Sequence, residues 1–194
     1  TCPKCSHTRK KKKDPCLSVN IDEQVWNCHN CGWNGSVIKR KVKLEYVKPK
    51  WSNNTELSDK LVKWFASRKI TQKTLIRNKI TEGETYMPQI QKNINTIQFN
   101  YFRDDELINI KYRDANKNFK MVKDAEKIFY GLNDIYEKNV VIIVEGEMDK
   151  LSFEEAGYKN CISVPNGASN KKMQYLDTCE EIFSNIKKVY LATD

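Results

Sequence analysis

Long apolar runs are missing from this 194-residue sequence. No stretch approaches the roughly 20 consecutive apolar residues that a membrane-crossing helix requires, so no membrane partner is expected. The opening residues, Thr1-Cys2-Pro3-Lys4-Cys5, are polar and lack the apolar core of a signal peptide, and no transit peptide is visible. The first residue is not Met, so the chain is expected to be cut from a longer one. No Gly-x-x-x-x-Gly-Lys-Ser/Thr phosphate loop occurs, which leaves a nucleotide-driven motor outside this stretch. Internal repeats are absent, and low complexity is confined to the basic run Arg9 to Lys13. Acidic charge is short at one end only. Residues 1–50 hold 12 Lys/Arg against 4 Asp/Glu, whereas the other 144 hold 22 against 21. The net charge of +9 is thus an N-terminal property. A small basic module on a near-neutral body suggests an appendage that reads a polyanion.

What is present begins with seven cysteines in a chain that is 39% hydrophobic and 30% charged. That balance fits a folded globular chain. Without a secretory signal, paired Cys-x-x-Cys motifs point to metal in a reducing, cytosol-like compartment. A cytoplasmic location is therefore expected, with a mitochondrial one left open. Cys2-x-x-Cys5 and Cys28-x-x-Cys31 form two knuckles separated by 22 residues. Zn²⁺ takes four thiolates in a tetrahedron, each knuckle supplying two from a tight turn, and the spacer predicts a hairpin. Cys16-Leu17-Ser18-Val19-Asn20-Ile21 alternates like a strand, and Gln24 to Cys28 reads as its partner. His7, Cys16 and His29 lie nearby and are expected not to be ligands. Trp26 is expected to pack on the ribbon. Trp33 is open between packing and stacking on an unpaired base, beside the basic residues Arg9 to Lys13, Lys39, Arg40, Lys41 and Lys43.

The rest of the chain changes texture twice. Residues 41–54 read as a basic linker, and 55–138 as a mixed α+β segment. In it, Leu57, Leu61, Val62, Trp64 and Phe65 share a helical face, and a short helix runs from Gln72 to about Asn78 behind Thr71. Such a helix pair reads as packing rather than as a DNA-reading unit. Strands are expected over Thr96–Phe102, Leu107–Tyr112 and around Asn118–Val122. From 139 to 194 the pattern is β-α-β-α-β. Val140-Val141-Ile142-Ile143-Val144 is a continuous apolar run, the mark of a strand covered on both faces. A helix follows to Ala156, with Gly157 after its end. Then come a strand at Cys161–Val164, a helix over Lys172–Asn185 and a strand over Lys188–Thr193. This is the start of a parallel α/β sheet. The fold class is thus a small β ribbon, an α+β subdomain, and a parallel α/β sheet incomplete at its end.

Glu145 sits where the apolar strand ends, the rim where open parallel sheets bind ligands. Gly146 permits a sharp turn, and Asp149 lies one helical turn on. Asp194 follows another buried strand directly. Converging carboxylates of this kind suit Mg²⁺ with substrate phosphates. Glu147 is expected to be exposed, and Glu154 and Glu155 to form a solvated helix face.

The segment Val144-Glu145-Gly146-Glu147-Met148-Asp149 resembles the first motif of Toprim domains, shared by primases, type IA and II topoisomerases and some nucleases. Leu191-Ala192-Thr193-Asp194 resembles the start of the second, Asp-x-Asp motif, whose second Asp this sequence lacks. Val164-Pro165-Asn166-Gly167-Ala168 and Cys31-Gly32-Trp33 are similar to segments of phage primase–helicases and their Twinkle-like relatives. The resemblance implies a DNA primase that makes short RNA primers on single-stranded DNA from ribonucleoside triphosphates, beside a fused or associated replicative helicase. It implies catalytic, Mg²⁺-linked roles for Glu145, Asp149 and Asp194, with Glu145 as general base. It further implies nucleotide and template binding by Lys111, Arg113, Lys120 and Lys123, and start-site reading by the zinc ribbon. The alternatives are a single-stranded-DNA-binding module with a degenerate Toprim domain, and a Toprim nuclease or topoisomerase.

Overall fold

A computed structural model describes residues 1–36, 45–49, 57–167 and 173–193. The chain divides into two compact units, Thr1–Glu45 and Tyr46–Asp194.

In the first unit, a 3₁₀ turn at Ser6–Thr8 precedes a meander of β1 (Leu17–Asn20), β2 (Val25–Cys28) and β3 (Asn34–Ser36). The three strands are antiparallel in that order, with Leu17 opposite Cys28 and Trp26 opposite Gly35. β1 and β2 are the anticipated hairpin. β3 was not foreseen, because Asn-Gly-Ser carries no apolar signal. It fits because Gly35 has no Cβ, and one added there would lie 2.3 Å from the Trp26 ring. The core of this unit is Cys2, Cys5, Cys16 and Cys28, with Leu17 and Trp33 against it. No aliphatic side chain is buried among its described residues. So small an apolar core cannot offset chain entropy unaided, and bound metal is the usual remedy.

The second unit opens with α1 (Asp59–Ala66), whose N-cap hydroxyl Ser58 accepts from the Leu61 amide. α2 (Gln72–Arg77) follows. Its N-cap Thr71 makes no side-chain cap bond; instead Glu155, from a distant helix, accepts from both the amide and the hydroxyl of Thr71 at 2.7 Å. A four-stranded antiparallel sheet comes next: β4 (Thr81–Met87), β5 (Lys92–Arg103), β6 (Glu106–Arg113) and β7 (Phe119–Met121). β5 to β7 match the expected strands. β4 escaped notice because Thr-Glu-Gly-Glu-Thr has no apolar alternation; it is an edge strand carried by backbone pairing to β5.

After a 3₁₀ turn at Leu132–Ile135 come β8 (Val140–Val144), α3 (Glu147–Glu155), β9 (Cys161–Ser163), α4 (Gln174–Thr178), α5 (Glu180–Phe183) and β10 (Lys188–Ala192). β10, β8 and β9 form a parallel sheet in that order, as the β-α-β-α-β reading requires. The helix expected over 172–185 is two short ones. One core joins these layers: Phe65 and Leu75 from the helices, Phe99 and Tyr101 from the antiparallel sheet, and Val141, Leu151 and Ile162 from the parallel one. Each such side chain contributes roughly 1.5–3 kcal/mol by leaving water.

Candidate metal centre and acidic site

The two knuckles converge. The sulfur atoms of Cys2, Cys5, Cys28 and Cys31 all lie within 4.8 Å of one another. Cys2 and Cys31 are 3.9 Å apart, and Cys5 and Cys28 are 3.7 Å apart. Four thiolates at about 2.3 Å from one Zn²⁺ would stand about 3.8 Å apart, so the donor set fits a tetrahedral ion. The second knuckle is shaped by its backbone: the Gly32 amide donates to Cys28 O at 2.9 Å, and Gly32 adopts φ +67°. Burial raises the Cys28 thiol's pKa, but the backbone amides of Cys31 and Asn30 outweigh it and bring the value down to about 6. That favours a thiolate at Cys28, while the Cys31 thiol is shifted up. Burial pushes the Cys5 thiol's pKa up to about 12, outweighing Asn30, which donates to its sulfur at 3.4 Å and pulls the value down. Cys16 stands outside the set of four, its thiol 3.7 Å from the Cys28 sulfur. His29 shares a 2.8 Å hydrogen bond with Ser18, and both it and His7 are exposed. Trp33 is half-buried against the cysteines, its ring 5.3 Å from that of Trp26. Lys39, Arg40, Lys41 and Lys43 lie outside the described residues.

In the second unit, β8 delivers Glu145 to the carboxyl end of the parallel sheet, where it is exposed. Asp149 is exposed in the first turn of α3. Its carboxylate folds over Gly146, and a Cβ at that glycine would lie 2.9 Å from Asp149 Oδ2. Here glycine is required by close approach rather than by φ, which is −133°. Two carboxylates at one rim fit the hard-oxygen preference of Mg²⁺. β10 pairs in register with β8, Ala192 opposite Val144. Asp194 lies outside the described residues.

Two expectations are corrected. Glu147 is not exposed: it is 3% accessible, accepts from the Tyr101 hydroxyl, and pairs with Lys111 Nζ at 2.8 Å. Glu154 is not on a solvated face either. It is buried and receives Lys150 Nζ, Arg77 Nη1 and the Asn78 amide at 2.7, 2.7 and 2.9 Å. Burial works against its charge, but the Lys150 and Asn78 hydrogen bonds and the Lys150 and Arg77 charges outweigh it and lower its pKa. Lys150, which no local pattern flagged, is wholly buried; it also holds Asp134 at 2.7 Å and bonds Asn78. Arg77 closes this four-charge network on Asp134 at 2.5 Å.

The four basic residues do not gather on one face. Lys111 and Arg113 alternate on β6 opposite Met121 and Phe119 of β7. Lys120 pairs with Tyr112 and so points the other way, to Tyr86 O at 2.7 Å. Lys123 is exposed beyond β7.

These features define an architecture: a thiolate-knuckle ribbon in one unit, and in the other an antiparallel sheet followed by a parallel sheet with an acidic rim. Residues 139–194 match the family described as Toprim domain. Over its whole length the chain is 33% identical to a primase homolog protein of Arabidopsis thaliana, spanning 63% of it. It is likewise 33% identical over its whole length to a Twinkle homolog protein, chloroplastic/mitochondrial, of the same plant, spanning 30% of that protein. The fold resembles the primase fragment of the bacteriophage T7 primase-helicase protein, with TM-score 0.54 and 18% identity, over 89% of this chain and 72% of that one. It also resembles the Aquifex aeolicus primase zinc-binding and RNA polymerase domains, with TM-score 0.55 and 15% identity, over 93% of this chain and 62% of that one. No helix among the described residues is long and apolar enough to cross a membrane.

Proposed function

We propose that this chain is the primer-synthesising part of a DNA primase that works beside a replicative helicase. What carries the reading is the pairing, in one chain, of a four-thiolate cluster with Glu145 and Asp149 at the rim of a Toprim sheet. Similarity over the whole of this chain to parts of relatives named primase homolog and Twinkle homolog supports it.

In this reading the 3′ hydroxyl of one ribonucleotide attacks the α-phosphate of the next, and pyrophosphate leaves. Glu145 takes up the hydroxyl proton as general base. Asp149 lies at the same rim, and Asp194 would serve as a further metal-site acid. With Glu145 they would hold Mg²⁺, which supplies charge stabilisation at the phosphates. Cys2, Cys5, Cys28 and Cys31 would hold a structural Zn²⁺. Trp33 and the basic segment around it would engage the single-stranded DNA template, while Lys111, Arg113, Lys120 and Lys123 would serve nucleotides and template. The paired knuckles suit a reducing, cytosol-like compartment, bacterial or organellar.

The test is primer synthesis on single-stranded DNA with ribonucleoside triphosphates and Mg²⁺. Glu145→Gln should lower it at least about 100-fold, the lower range for a general base. Undiminished primer yield from that variant refutes the catalytic assignment and leaves a nucleic-acid-binding module.

A further inference from the structure

The parallel sheet has a second edge, where its strands begin, and the charge there is of the opposite sign to the acidic rim. Lys138 and Lys159 stand two residues ahead of β8 and β9, and Lys187 directly precedes β10, whose first residue is Lys188. The strand order β10-β8-β9 and the parallel register bring these positions side by side. Lys188 lies opposite Val140, and Cys161 opposite Ile142. The amides of Lys187 and Lys188 both donate to Asn139 O, at 2.8 and 3.1 Å. With neighbouring strands about 4.8 Å apart, the four positions span about 10 Å of this edge.

All four lysines are exposed, and among the described residues none pairs with a carboxylate. Lys188 Nζ instead lies 4.6 Å over the Tyr190 ring. An open hollow of about 350 Å³ is set into the edge, lined by Lys138, Asn139, Val140, Lys159 and Asn160. Asn160 braces it, its side-chain amide donating to Val140 O at 2.9 Å. Tyr158, beside Lys159, is 54% exposed. Ammoniums of one sign held in a row repel one another, and a row of anionic groups relieves them.

We propose that Lys138, Lys159, Lys187 and Lys188 seat the phosphate backbone of a single nucleic-acid strand, with Tyr158 against one of its bases. A strand is favoured over a lone pyrophosphate because the cations are distributed over the ends of three β-strands. It is favoured over an acidic peptide because an exposed ring beside the cations suits an unpaired base. The site lies at the edge away from Glu145 and Asp149 and does not rest on the primase reading.

The zinc-loaded 194-residue chain is titrated into a fluorescent oligodeoxythymidylate without Mg²⁺, with binding followed by anisotropy across a salt series. The substituted side chains are exposed, and circular dichroism verifies that each variant folds. Lys138→Gln with Lys159→Gln should flatten the slope of log affinity against log salt by about 1.4, or about 0.7 for each lost phosphate contact. Lys73→Gln with Lys92→Gln, exposed on α2 and β5, removes the same charge and should leave the slope unchanged. Tyr158→Ala should weaken binding at least about fivefold, the factor for losing one stacked base. Lysine acetylation mapped by mass spectrometry should be slowed by the oligonucleotide at Lys138, Lys159, Lys187 and Lys188 and not at Lys92. The proposal is overturned if the parent chain fails to bind, if the two double variants shift the slope alike, or if Tyr158→Ala binds like the parent. It is equally overturned if the four lysines acetylate at one rate with and without the strand, or if pyrophosphate or polyglutamate at matched charge protects them as well. Primer synthesis by Glu145→Gln decides the catalytic reading separately, since Glu145 contributes to none of these readouts.

Discussion

Lys150→Met should be the most damaging conservative substitution in the second unit. The Lys150 side chain is wholly inaccessible, and its ammonium lies 2.7 Å from both Asp134 and Glu154 and also bonds Asn78. Methionine keeps the stem's volume and packing, so the change isolates the charge. With the ammonium gone, Arg77 is left as the cation for two carboxylates that are 16% and 4% accessible. Breaking a buried ion pair by removing one partner costs about 3–5 kcal/mol, because the other charge stays buried and uncompensated. A domain of this size gains about 5–15 kcal/mol in all, so the loss is a large share of its stability. At about 2–4 °C per kcal/mol, the melting temperature should fall by about 6–20 °C.

Urea unfolding followed by tryptophan fluorescence measures this loss, Trp64 reporting on the second unit. The double variant Lys150→Met, Glu154→Gln should recover part of it, since one unpaired anion is then removed. A single variant within about 1 kcal/mol of the parent at unchanged urea dependence would refute the argument, because paired buried charges cannot be broken so cheaply. A double variant less stable than the single one would show that Glu154 keeps a sufficient partner in Arg77.

Zinc should be bound at one ion per chain; Cys28→Ser or chelation should abolish it and unfold the ribbon, while the second unit's melting stays unchanged, as read by metal analysis and circular dichroism. Gly146→Ala should cost little stability, because φ is −133°, but its Cβ displaces the Asp149 carboxylate. Primer synthesis should then drop by about 100-fold, the scale for misplaced catalytic groups. Glu154 has a lowered pKa in the folded state, so it stabilises the fold fully above its unfolded value of about 4.3 and loses that contribution as pH falls through its folded value. Unfolding free energy measured from pH 7 down to pH 3 should fall less steeply in Glu154→Gln than in the parent; parallel curves would contradict this.

What could be read from the sequence had its cause close by along the chain. The knuckles were legible because each supplies two ligands from a four-residue turn. β8 was legible because burial on both faces leaves an unbroken apolar run. Glu145 followed from β8, since the end of a buried parallel strand is itself a place in the fold. The misread Glu147 and Glu154, and Lys150, for which no expectation was made, share the opposite property. Glu147, Lys150 and Glu154 are charged residues on a helix, a type that is seldom buried unpaired. Their partners Tyr101, Lys111, Asn78 and Arg77 lie 36 to 77 positions away. Only the folded chain brings those groups together.

The basic residues add a subtler case, because chain alternation alone already puts Lys111 and Arg113 on one face of β6. What it cannot supply is the β6–β7 register, which sets Lys120 opposite Tyr112 and so removes it from that face. Nor can it supply the contacts that pair Lys111 with Glu147 and set Arg113 against the rings of Trp64 and Phe119. Lysine and arginine of equal formal charge are therefore unequal as ligand groups. The difference lies in which carboxylates the fold has already committed: Glu147 to Lys111, and Asp114 to the turn that presents Phe119.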